Sequence, residues 1–215
     1  MLFEAGLEFG DPPELWNIER ADVVNSIQSA YVQAGAHLLL TNTFGGSSFR
    51  LRQHGLQDRQ YELNRFGAAN LKNTIESLDS TSLVAGDIGP SGEIMAPLGD
   101  LEFDEAVAGF AEQCDGLIEG GVDLIWIETL SSMEEMEAAV LGVKQINSDI
   151  PIITCMSFDT HGRTMMGITP EAAICGFGRK FSITSLTILG PVSLYRLKIL
   201  LTVLFPTHGD TQFIT

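Results

Sequence analysis

The chain has 215 residues, 45% of them apolar and 19% charged, which suits one sizeable globular domain and excludes an intrinsically disordered segment. Its formal charge is −16, so it lacks the positive surface that nucleic acid and anionic membranes require of a general partner. Its three cysteines, Cys114, Cys155 and Cys175, stand far apart with no CxxC pair, which argues against a disulfide framework and a sequence-local zinc knuckle.

The N-terminal stretch MLFEAGLEFGDPPELW carries acids and prolines where a signal peptide needs a basic start and an apolar core. A cytoplasmic, reducing location is the expectation. Residues 18–35 then read as a helix, with Ile18, Val23, Ile27, Ala30, Tyr31 and Ala34 at roughly helical spacing and Gly35 at the stop. An apolar strand follows at 37–42. A long helix is predicted over 58–78, carrying Tyr61, Leu63, Phe66, Ala69, Leu71 and Ile75. SLVAGDIGP (82–90) is a second strand, and 104–120 a helix with Val107, Phe110, Cys114, Leu117 and Ile118 on one side. VDLIWIET (122–129) is a third strand, 131–147 a helix, and PIITCMSF (151–158) a fourth strand.

Strand–helix alternation with near-continuous apolar strands predicts a parallel sheet buried on both faces. No strand is followed by GxGxxG, which disfavours a Rossmann-type open sheet. The fold class expected is α/β, an incomplete (β/α)8 TIM barrel. A barrel keeps its functional groups at the C-terminal ends of its strands. Here those ends read Thr41-Asn42-Thr43, Asp87-Ile88-Gly89-Pro90, Glu128-Thr129 and Ser157-Phe158-Asp159, while the strand starts are bland.

The composition breaks near residue 172: beyond Glu171 the one acidic residue is Asp210. The segment FSITSLTILGPVSLYRLKILLTVLF is apolar but interrupted by Gly190-Pro191, Arg196 and Lys198, so no uninterrupted run is long enough for a membrane span. Two readings stay open: an unusual C-terminal helix, or a stretch foreign to the barrel, as after a frameshift. The domain expectation is a partial barrel over 1–173 and an atypical apolar tail over 174–215.

Six stretches in order carry a family resemblance: PELWN (13–17), LLLTNTFGG (38–46), ELNR (62–65), GDIGPSGEIMAPLG (86–99), GVDLIWIETLSSMEE (121–135) and MSFDTHGRTMMG (156–167). With them the chain resembles the homocysteine S-methyltransferase family, most closely its bacterial betaine–homocysteine branch, over about residues 1–173. The resemblance implies a zinc-dependent barrel in which three cysteine thiolates hold Zn²⁺ and the homocysteine thiol takes the open position. The homocysteine thiolate, not a protein side chain, is then the nucleophile toward a methyl donor such as betaine. No catalytic side chain is therefore assigned.

By the same resemblance Glu128 holds the substrate's amino group, a charge-assisted hydrogen bond at a strand end. The alternative for it is a structural partner to a helix N-terminus or basic group. Asn42 and Thr43 match the site-lining second strand of the family, or cap the strand end as short polar groups do. Phe44 and Phe158 face a methylammonium donor by cation–π attraction or pack in the core. Ser157 completes the substrate-binding set, and the role of Asp87 stays open. Gly45-Gly46 are expected to let the loop fold close over a ligand.

The departures concern the metal. The family's zinc cysteines lie in a Gly-x-Asn-Cys motif and a later Gly-Gly-Cys-Cys motif, and neither occurs here. Cys114 and Cys155 read as core, Cys175 comes too soon after MMGITPEAA, and His37, His54, His161 and His208 have no ligand spacing. No metal ligand is assigned. The resemblance also implies a first strand ahead of Met1 and further strands beyond the fourth, whose absence would leave sheet edges open. The expectations are thus a homocysteine methyltransferase by lineage, inactive as this polypeptide alone, or a non-catalytic half-barrel that docks on a partner chain. An oligomer is left open. A barrel enzyme for phosphorylated substrates is a weaker third, because loops after strands 7 and 8 are not visible.

Overall fold

The computed structural model describes residues 1–158, 161–180 and the strand 197–201. Asp159, His208 and most of the apolar tail lie outside the described residues. The elements run α1 (Trp16–Glu19), α2 (Ala21–Gln33), β1 (Leu38–Leu40), α3 (Ser48–Leu51), α4 (Gln60–Ser77), β2 (Leu83–Ile88), α5 (Phe103–Glu119), β3 (Leu124–Leu130), α6 (Met133–Ile146), β4 (Ile152–Phe158), α7 (Pro170–Lys180) and β5 (Leu197–Leu201).

The sheet order is β1-β2-β3-β4-β5, and β1 to β4 are parallel. Chain order equals spatial order with no reversal, so there is no switch point of the doubly wound kind. The helices form one layer: α2 packs on α4, α4 on α5, and α5 on α6. One face of the sheet is thus covered by helices, as along an arc of a (β/α)8 barrel.

Side-chain alternation sorts the strand residues onto two faces. Toward the helices go Leu39, Val84, Ile88, Ile125, Ile127, Ile152 and Met156, all buried. Toward the inner face go Leu40, Asp87, Trp126, Glu128 and Ser157, three of them half-exposed. Glycines set how closely the layers approach. A Cβ on Gly86 would touch Ile125, Leu117 and Val122, and one on Gly142 would meet the Val107 carbonyl and the Ala111 nitrogen at 2.8 Å. The strand starts are less bland than expected: Asp123 accepts from the Val84 N–H at 2.8 Å and pairs with Lys72 at 3.1 Å, tying β2 to β3.

The expected helix over 18–35 is divided at Arg20, whose backbone (φ −135°, ψ 43°) leaves the helical region. Its buried stripe is Val24, Gln28 and Val32 rather than the predicted apolar side. Ile27 and Tyr31, on that predicted side, line a cavity of about 430 Å³ along the free edge of β1. Tyr61, carried by the predicted 58–78 helix, is 37% exposed on α4. Within the tail, residues 197–201 are not a helix: β5 pairs antiparallel to β4, with Thr154 opposite Leu201 and Phe158 opposite Leu197. A strand there satisfies the backbone groups along that edge of β4. None of the helices among the described residues is long and apolar enough to cross a membrane.

Gly142→Ala is expected to force α5 and α6 apart and cost about 1–3 kcal/mol, read as a lower urea midpoint with unchanged m-value.

Candidate functional site

The C-terminal end of β1 is built around buried side-chain amides. Asn17, 1% exposed, donates to the Asn42 carbonyl at 2.8 Å and the Leu63 carbonyl at 3.3 Å. Asn42 returns two bonds, to the Pro13 carbonyl at 2.8 Å and to Asn17 Oδ1 at 3.0 Å. Asn64 donates to the Gly46 and Gln60 carbonyls, both at 2.7 Å, and Gln113 to the Thr43 carbonyl at 3.0 Å and Asn64 Oδ1 at 3.2 Å. Gln60 accepts from the Ser48 N–H and donates to the Gly109 carbonyl. Asn64, Gln60 and Gln113 are fully buried, so these bonds hold the β1 loop without help from water.

The geometry assigns each candidate a place. Asn42 is half-buried, its amide committed to the N-terminal segment, so capping is the role its contacts display. Thr43 is fully buried; its hydroxyl donates to the Asp87 carbonyl at 2.8 Å and lies 2.6 Å from the Thr41 hydroxyl. Phe44 is 36% exposed, and its carbonyl accepts from the Gly89 N–H at 3.1 Å. A Cβ on Gly89 would lie 2.5 Å from that carbonyl, so only glycine fits. Phe158, 2% exposed, belongs to the helix-side core with Met136, Ala173 and Phe177. Gly45 and Gly46 have a packing reason as well: a Cβ there would collide with Glu14 Oε1 at 2.8 Å and Asn64 Oδ1 at 2.5 Å.

Glu128 sits half-exposed on the inner face, where β3 departs from its register with β4 between Ile127 and Leu130. The irregularity is centred on Thr129, whose φ is +61°. A β-branched residue in the left-handed region is a strained outlier, and such strain gathers where a side chain must be aimed. Bulges re-aim side chains beside functional sites in this way. Ser157, half-buried on the neighbouring strand, also belongs to the inner face. Glu128 and Ser157 thus share the inner face and Phe44 is 36% exposed on the β1 loop, while the Thr43 hydroxyl and the Asn42 amide hold that loop's backbone surroundings.

The donor set does not fit a metal. Burial pushes the Cys114 thiol, fully enclosed in α5, up to about 12, opposing the thiolate a metal needs. Cys155 is buried in β4, and Cys175 is exposed on α7. Among the described residues no three His, Cys, Asp or Glu side chains cluster so as to hold an ion.

Sequence reasoning gave no role to Glu14, Asn17, Gln60, Asn64, Ser91, Gln113 or Glu135, although PELWN, ELNR and the GPSG stretch contain four of them. Glu14 accepts from the Gly45 N–H at 2.6 Å. Glu135 Oε1 accepts from the Ser91 N–H at 2.8 Å and the Ser91 hydroxyl at 2.6 Å. Burial raises both carboxyls above the ordinary Glu value, against the lowering effect of these bonds. The signal available was Ser132-x-x-Glu135, a capping-box spacing. The Ser132 half forms, accepting from the Glu135 N–H at 3.2 Å, but the carboxylate goes to Ser91 instead.

Comparison with known proteins adds the following. The family model for homocysteine S-methyltransferase matches residues 4–188, running past residue 173. The chain is 30% identical over 168 residues to methionine synthase of Mycobacterium leprae (strain TN), and equally to that of Mycobacterium tuberculosis (strain ATCC 25618 / H37Rv). Those alignments cover 75% of this chain and 14% of the relatives, so the chain spans about a seventh of their length. The crystal structure of the homocysteine methyltransferase MmuM from Escherichia coli, metallated form, superposes with a TM-score of 0.69 at 19% identity, covering 83% of this chain and 67% of that one. The apo form of the same protein gives 0.61 at 15% identity, covering 83% and 64%. The likeness establishes the fold as an arc of that barrel.

Asn64→Ala is expected to leave the Gly46 and Gln60 carbonyls without their donor and cost about 1–3 kcal/mol, measured by urea unfolding.

Proposed function

Because the chain belongs to the homocysteine S-methyltransferase family, we propose that its strand ends form the homocysteine-binding part of a methyltransferase barrel. The observation that carries this is Glu128, set on the inner face at the β3 irregularity and lifted clear of the core beside strained Thr129. A carboxylate there suits an amino-acid ammonium, which binds by a charge-assisted hydrogen bond. Ser157 offers a hydroxyl to the same ligand, and Asn42 and Thr43 line the site indirectly by holding the β1 end. Phe44, partly exposed at the rim, suits a methylammonium group through its ring face.

The reaction of the lineage moves a methyl group from a donor to the sulfur of homocysteine, giving methionine. The sulfur must shed its proton before attack, and the S–CH₃ bond forms as the donor's bond to that methyl breaks. This chain's share is binding, orientation and exclusion of water. Zinc would supply the lowered thiol pKa in such enzymes, but this chain's described donors do not fit it, so no step is drawn through a metal. A betaine-type donor is our reading, and a cytoplasmic location accompanies it. The polypeptide alone is proposed to bind homocysteine without turning it over.

Titration calorimetry with L-homocysteine tests the site: the chain binds it, and Glu128→Gln weakens binding tenfold or more, as loss of a charged hydrogen bond predicts. Unchanged affinity in that variant sinks the assignment. Stoichiometric zinc by elemental analysis, with methionine formed from betaine and homocysteine, sinks the proposal that the chain is inactive alone.

A second reading, a half-barrel docking on a partner chain, is favoured by one place. The free edge of β1 borders a cavity lined by Ile27, Tyr31, Leu38 and Leu40, with no charged residue in its lining. Among the described residues the carbonyl oxygen of Gln28, 6% exposed, has no hydrogen-bond partner there. Light scattering after size exclusion discriminates: a dispersed monomer at all concentrations counts against docking.

A further inference from the structure

We propose that Glu14 and Glu135, two buried carboxylates outside the ligand-facing surface, are positioning residues that set the separation of the site's loops. The inference rests on the homocysteine-site reading only for its consequence to the ligand; the clamp itself rests on geometry. Both carboxylates are nearly enclosed, at 5% and 4% exposure. Among the described residues neither forms a salt bridge with a lysine or arginine. Each instead takes up backbone N–H groups of a strand-end loop.

The bonds join into one line across the mouth. Glu14, in the N-terminal segment, holds Gly45 in the β1 loop. The neighbouring Phe44 carbonyl accepts from Gly89 in the β2 loop. Two residues on, Ser91 gives both its N–H and its hydroxyl to Glu135. The Ser91 oxygen also accepts from the Glu93 N–H at 3.2 Å, folding the loop back on itself. Glu135 stands in the first turn of α6, capped by Ser132, which follows the Glu128–Thr129 irregularity directly. Phe44 at one side and Glu128 at the other are therefore fixed relative to each other through Glu14, Gly89, Ser91 and Glu135.

The chemistry explains why carboxylates hold these places. An ionised acceptor takes two donors on one oxygen, as Glu135 does, and binds N–H groups roughly twice as strongly as a neutral one. A desolvated carboxylate in turn demands those donors, so the loops cannot drift without exposing it. Gly45 and Gly89 allow the approach, since a Cβ at either would collide with Glu14 or with Phe44.

The experiment compares the wild-type chain with Glu14→Gln, Glu135→Gln, Ser91→Ala and the Glu135→Gln/Ser91→Ala double variant. Amide hydrogen exchange and calorimetry with L-homocysteine are read together. In Glu135→Gln, the amides of Gly89, Ser91 and Glu93 exchange about tenfold faster while those of Ile125 and Ile127 keep their protection, because the opening is local. In Glu14→Gln the same holds for residues 44–46. Homocysteine affinity falls about tenfold in Glu135→Gln and in Ser91→Ala, and the double variant is no weaker than either single. A structural role alone would lower core protection throughout and leave affinity unchanged in the folded fraction. Equal protection of Ser91 in wild type and Glu135→Gln overturns the clamp, and so does additive loss of affinity in the double variant. If the wild-type chain takes up no homocysteine, the substrate reading falls, and the exchange data alone decide the clamp.

Discussion

The hydrogen bonds of Asn17, Asn64 and Gln113 to the backbone around Thr43 are the constraint on which the rest of the mouth depends. β1 is only three residues long and, among the described residues, pairs with β2 alone, so its ladder cannot by itself hold the loop that follows. Three buried amides from α1, α4 and α5 take over that task by satisfying the carbonyls of Asn42, Thr43 and Gly46. Gly67 makes this feasible, because a Cβ there would strike Thr43 Cγ2 at 2.5 Å and Asn17 Nδ2 at 2.8 Å. Each such bond contributes about 1 kcal/mol net but costs more when broken, since a buried carbonyl is left alone.

The arrangement divides labour along each strand in the manner of a barrel. The starts carry stabilising contacts such as Asp123 with Lys72 and the Val84 N–H. The middles bury Ile125 and Ile127 under the helices. The ends carry polarity, strain and close glycine contacts. Glu128 beside Thr129 is the clearest case, because a regular strand would not place Thr129 in a left-handed conformation. The same division accommodates both membership in a methyltransferase family and the lack of a fitting metal donor set among the described residues. The polar strand ends belong to β1 to β4, whereas the described cysteines are spent on core and surface.

Much of the architecture was legible because strand and helix periods differ and the buried strands are nearly continuous apolar runs. Glu128 and Ser157 could be picked out by their position at strand ends, and the structure brings both to the inner face. The amide hub was not legible. Gln60 and Asn64 look like surface residues of an amphipathic helix, yet they continue the buried stripe of Leu63, Gly67 and Leu71 at its N-terminal end. A polar start to an otherwise apolar stripe was the available signal. The face of α2 was misread for a related reason: Ile27 and Tyr31 form a second apolar side, turned to the free edge of β1 rather than to α4.

The sequence by itself determined the alternation of elements, the polarity of the strand ends and the family, because these reside in local period and in ordered motifs. Only the tertiary structure decided which polar groups are committed to distant backbone partners and which face outward from the sheet. Thr43 and Asn42 look equivalent to Glu128 along the chain, but their partners lie 25 to 70 residues away, as with Asn17 and Gln113. Glu135 had no visible role along the chain, and the fold brings Ser91 to it from 44 residues away. A side chain's role in this protein is set by which distant backbone group needs a partner once water is gone, and only the folded chain brings those groups together.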